Sequence, residues 1–171
     1  MTTETPDRDY DLASLVIKPL YFGLVANILV PMALLLICYY LEMHNPPPDR
    51  LGFSANTLFI VFAVLAIGQA AFALLYRSKQ MAKPMVTHID RLEEDVKRAL
   101  ISRLRPVFVM VGAISLWGVV YYLLTGRFNE GVMFVVFSFI VFQFIRPRYG
   151  SVQKLLDKQY EMAKRGELLS S

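Results

Sequence analysis

The stretch LVANILVPMALLLICYYL, residues 24–41, decides what kind of protein this is. It carries no charge, and the uncharged run reaches back to Leu20. An apolar run of about 20 residues matches a hydrocarbon core roughly 30 Å thick. Three further uncharged runs follow, at 58–76, 107–124 and 132–145. The fourth is short, and it becomes long enough only if it starts at Phe128 and leaves Glu130 at the interface. Composition agrees, with 56% of the 171 residues hydrophobic. The leader before the first run holds Glu4, Asp7, Asp9 and Asp11 where a cleaved signal peptide has a basic region, so the run is expected to be retained. The sequence therefore predicts an all-α integral membrane protein whose four transmembrane helices form two antiparallel hairpins.

Charge sets the expected orientation. Of the 18 Lys and Arg residues, all but Arg50 and Arg127 lie in the N-terminal tail, the middle loop or the C-terminal tail. The positive-inside rule places those three segments in the cytoplasm. The net charge of +4 is then a topology signal rather than a nucleic-acid footprint, because the basic residues flank spans and alternate with acids. Tyrosines mark the same edges: Tyr21 and Tyr76 inside, and Tyr39, Tyr40, Tyr121 and Tyr122 outside. Five segments result: a cytoplasmic tail 1–18, a first transmembrane hairpin 19–76, a basic cytoplasmic linker helix 77–105, a second hairpin 106–146, and a cytoplasmic C-terminal amphipathic helix 147–171.

Both cytoplasmic helices show one apolar stripe. In the linker, Thr87 and Asp90 resemble a capping box after the breaker Pro84. Ile89, Leu92, Val96 and Ala99 then recur at helical spacing, and this stripe is expected to dock a partner or a second copy. In the tail, Ser151 is placed as a cap, with Val152, Leu155, Leu156 and Met162 on one side. Arg77, Arg98, Arg103, Arg105, Arg146 and Arg148 are expected at lipid headgroups. The halves also share landmarks, such as Lys18-Pro19 with Arg105-Pro106 and CYYL with VYYL, which point to a parallel repeat.

Polar residues inside the spans are the remaining signal. Asn27, Gln69, Ser115 and Ser138 each lie about 12 Å from the cytoplasmic edge, at 1.5 Å per residue. Groups at that depth turn inward, because lipid offers no hydrogen bonds. Gln69 shares a face with the small-residue pattern Ala63, Ala66, Ala70 and Ala73, and Ser115 lies between Gly112 and Gly118. Ser138, among large neighbours, is the weakest member. Pro31 cannot bond to the carbonyl of Asn27, so the helix is expected to kink there. Two roles compete for this layer: hydrogen bonding between helices, or a polar pocket open to the cytoplasmic half that binds an ion, a lipid headgroup or a small solute.

Little points to catalysis. The two histidines, His44 and His88, fall on opposite sides of the membrane, and Cys38 is the single cysteine. No glycine-rich phosphate loop appears, and no span contains Asp, Glu, Lys, Arg or His. The sequence thus predicts no catalytic, cofactor-binding or metal-binding residue. It predicts a small multi-pass protein of a bacterial-type inner membrane, both termini cytoplasmic, serving as a non-catalytic scaffold, assembly factor or accessory subunit. The alternative is a small oligomeric channel or transporter. Expected partners are membrane lipids and either a second copy or another membrane protein, with no nucleic acid.

Overall fold

Proline and glycine decide where the helices bend and stop. A computed structural model describes residues 11–47 and 54–169. The leader residues Glu4, Asp7, Arg8 and Asp9, and Arg50 of the first outer loop, lie outside the described residues. Asp11 caps α1 (Leu12–Leu24) by accepting the Ser14 N–H at 3.1 Å. Residues 12–18 of the expected tail are therefore helical and continuous with the first span. At Pro31 the chain does more than bend. Val25–Leu29 forms a π turn, in which the Val30 N–H reaches the Val25 carbonyl five residues back, before α2 (Val30–His44) begins. Pro31 lacks the N–H that would meet the Asn27 carbonyl, and its ring crowds that turn, so the wider turn relieves both.

The second span, α3, covers Ala55–Ala82 and stops where Lys83 turns extended before Pro84. Its last carbonyls have no helical partner. Arg103 supplies one: its guanidinium donates to the carbonyls of Gln80, Lys83 (3.1 Å) and Pro84 (2.8 Å). Arg103, half-buried, thus clamps the end of α3. We expect Arg103→Ala to cost about 2–3 kcal/mol, because charge-assisted bonds contribute about 1.5–3 kcal/mol each and neighbouring ones overlap in effect. Arg103→Lys should not restore the loss, since one ammonium cannot span the same fork. Unfolding of the detergent-solubilised variants measures this, and a wild-type midpoint for Arg103→Ala would refute the clamp.

After a 3-10 turn (Ile89–Arg91), α4 runs unbroken over Leu92–Thr125, 34 residues with Pro106 inside. The linker residues from Leu92 and the third span are one helix, continuous across the segment boundary at 105 and 106. Proline removes one ladder bond there, and the Ser102 carbonyl it frees belongs to an exposed residue at the helix's polar end. The helix ends at Gly126, whose φ of 69° is left-handed, with its N–H on the Tyr122 carbonyl at 2.8 Å. A Cβ there would lie 2.7 Å from the Pro47 carbonyl oxygen, so glycine is required twice over. Then come α5 (Phe128–Ile145) and α6 (Tyr149–Lys164). Among the described residues four helices are long and apolar enough to cross a membrane, the fourth starting at Phe128. No strand occurs among the described residues.

The hub is α4. It packs against α5, α3, α1, α2 and the π turn, whereas α3 makes no comparable contact with α1 or α2. The first span and α3 thus lie separately on α4 and α5, while α4 and α5 pack closely on each other. Small residues explain the order. A Cβ on Gly131 would lie 2.8 Å from the Gly118 carbonyl oxygen, and one on Gly118 would overlap the Gly131 carbonyl oxygen. Ala66, Ala70 and Ala73 of α3 are buried. A Cβ on Gly112 would lie 2.6 Å from the Ala26 carbonyl oxygen in the π turn. Such contacts let helices approach closely where lipid provides no hydrophobic drive.

Beyond the apolar runs, α6 folds back over the polar end of α4. Leu92 and Val96 are fully buried in one cluster with Leu15 and Val16 of α1 and Val152, Leu156 and Ala163 of α6. Two members of the predicted docking stripe are therefore covered by the chain itself. Ala99 is half-buried and only Ile89 is exposed. The α6 face is Val152, Leu156, Gln159 and Ala163, and the helix starts at Tyr149, ahead of the expected cap Ser151. Gln159 Oε1 accepts the Met85 N–H at 2.8 Å, and its Nε2 donates to the Lys83 carbonyl at 3.2 Å. Thr87 pairs with Asp95 rather than Asp90: its N–H and hydroxyl both donate to Asp95 Oδ2. Burial pushes the Asp95 carboxyl up, but the bonds from Thr87 outweigh it and hold the group below its ordinary range.

Candidate functional site

Every helical carbonyl keeps a second lone pair after its ladder bond is made. Along α4, three consecutive carbonyls use it. Met110 O accepts from Gln69 Nε2 of α3 at 2.6 Å, Val111 O accepts from Ser138 Oγ of α5 at 2.8 Å, and Gly112 O accepts from Ser115 Oγ at 2.6 Å. Successive residues are turned by about 100°, so neighbouring helices can each meet a different one. Asn27 reaches the same turn through the gap at Gly112: its Oδ1 lies 3.6 Å from where a Cβ there would stand. The four intramembrane polar side chains thus meet at one turn of one helix.

They do not act alike. Only Gln69 and Ser138 bond across helices. Ser115 satisfies itself three residues back in its own helix, and Asn27 Nδ2 donates to the Gly23 carbonyl at 3.0 Å in the preceding turn. Ser138, the weakest member by sequence, is fully buried, and its large neighbours Phe134, Val141 and Phe142 are buried with it. Trp117 was not singled out from the sequence. Its indole N–H donates to Gln69 Oε1 at 2.8 Å, so both ends of that amide are held by α4. The seven-residue spacing from Met110 to Trp117 puts both on one face of α4, which is the signal available in the sequence. One group is left over: Asn27 is 2% exposed, and its Oδ1 has no donor.

The interfacial groups divide similarly. Tyr121 and Tyr122, expected at the outer headgroups, are buried, and the Tyr121 hydroxyl bonds to Glu130 and to the Ala55 carbonyl (3.4 Å). Arg98 is exposed and paired with Glu94 at 2.8 Å, a surface bridge worth little. Arg105 stands 5.7 Å over the Phe22 ring, and Arg146 is exposed. Arg77 is half-buried with Nη1 on the Phe144 carbonyl at 3.3 Å, and Arg148 donates to the Gln143 carbonyl at 3.4 Å.

Compared with known proteins, the chain matches no family model, no curated protein and no solved structure.

Proposed function

We propose that this chain is a multi-pass protein of a bacterial-type inner membrane, with both termini cytoplasmic, that serves as a non-catalytic scaffold, assembly factor or accessory subunit. One observation carries the proposal. The polar groups of four spans converge on Met110, Val111 and Gly112 of α4, where Gln69 of α3 and Ser138 of α5 hydrogen-bond to its backbone across helices. The first two spans also bury only 17% and 22% of their apolar windows within the chain, against 44% for the third. Their outward faces, including Leu36, Ile37, Val64 and Ile67, are free for a second copy or another membrane protein. The covered stripe at Leu92 and Val96 moves the expected contact from the cytoplasm into the membrane.

Ser138→Cys in a Cys38→Ser background tests whether the belt is dry. The substitution is nearly isosteric, and we expect no reaction with a membrane-impermeant thiol reagent, while Arg98→Cys reacts from the cytoplasmic side. Labelling at 138 would favour the alternative, a small oligomeric channel or transporter, for which the unpaired Asn27 Oδ1 is the specific observation. Native mass in mild detergent, with identification of co-purifying chains, then separates subunit from self-assembly.

A further inference from the structure

A cleft of about 440 Å³ opens between the end of α3, the N-terminal part of α4 around Leu100 and Leu104, and the first half of α6. Leu74, Met81, Leu100 and Leu104 contribute to its apolar lining, and Arg77, Lys154 and Lys158 supply its charge. No Asp or Glu lines it. Among the described residues none of these three cations forms an ion pair, and Arg77 Nε is buried without an acceptor. Three unneutralised cations and one unmatched buried donor call for an anion with several acceptor oxygens.

The depth of the cleft narrows the choice. Arg77 directly follows the apolar run of α3, and Pro147 lies two residues after α5 ends. This is the level where hydrocarbon gives way to headgroups. Beside it, Phe72, Leu75 and Phe144 are exposed and give acyl chains an apolar surface. A soluble phosphate would use the cations but not that surface. We propose that this cleft binds the phosphate headgroup of an anionic phospholipid, with Arg77, Lys154 and Lys158 around the phosphate and the acyl chains along α3 and α5. The site rests on the membrane reading for its depth alone. A chain that assembles with a partner yet shows no headgroup preference defeats the cleft and leaves the scaffold role standing.

The test is native mass spectrometry of the full chain, titrated with phosphatidylglycerol or with phosphatidylcholine. We expect one saturable phosphatidylglycerol, bound about tenfold or more tighter than phosphatidylcholine. Lys154→Ala with Lys158→Ala should abolish the preference; both side chains are exposed, so the fold survives. Arg98→Ala with Arg105→Ala removes equal charge elsewhere and should leave it intact. Equal binding of the two lipids by the wild type, or an unchanged preference in the lysine variant, overturns the proposal. So does loss of the preference in the arginine control. Displacement of the lipid by glycerol phosphate at equal concentration overturns it in favour of a soluble phosphate ligand.

Discussion

Gly118→Ala should cost about 3 kcal/mol and force α4 and α5 apart. The added methyl would overlap the Gly131 carbonyl oxygen and lie 3.0 Å from Phe134 Cβ. The first obstacle is backbone, so no rotamer change relieves it. Overpacking of this kind typically costs about 1–3 kcal/mol, with the upper end expected where only helix separation makes room. Separation would also strain the Ser138 bond to the Val111 carbonyl, because both contacts join the same two helices. Gly68→Ala is the control. Nothing lies within 4 Å of its would-be Cβ, so the change should be neutral or gain up to about 1 kcal/mol of helix propensity. Unfolding of both variants in one detergent gives the comparison, and equal midpoints would overturn the close crossing.

The second large effect is expected at Val96→Glu. Val96 is 0% exposed, in a cluster of Leu and Val side chains from α1, α4 and α6. A carboxylate there has no charged partner in that cluster, and burying it costs about 4 kcal/mol or more unless the layer opens. We expect α6 to detach, so that limited proteolysis cuts the tail and the 83–91 segment while the four spans stay in the membrane. Ile89→Glu, on an exposed member of the same stripe, should change protease resistance little. A Val96→Glu protein that resists protease like the wild type but loses a co-purifying chain would return the stripe to its first reading, a docking surface.

The contrast between those residues shows how far sequence periodicity reaches. Spacing placed Ile89, Leu92, Val96 and Ala99 on one face, and a helix does form there. What covers the face depends on where α6 folds back, and that is a contact between segments over 50 residues apart, such as Met85 with Gln159. Likewise the Ala63–Ala73 and Gly112–Gly118 patterns announced close approach without naming the neighbour. Gly118 meets Gly131, and Gly112 meets the π turn. Tyr121 shows the opposite case, where a residue type common at headgroups is buried and its hydroxyl finds partners in Glu130 and the Ala55 carbonyl.

By itself the sequence determined the membrane-spanning class, the four apolar helices and the common depth of Asn27, Gln69, Ser115 and Ser138. Those properties are sums over single residues: apolar length, charge and distance from a span edge. Only the tertiary structure decided that α4 is the hub, that Pro31 is absorbed by a π turn, and that Leu92 and Val96 face inward. The acceptors of the belt are backbone carbonyls, which every residue carries. Sequence could name the donors, but which carbonyl each one meets depends on which helices touch.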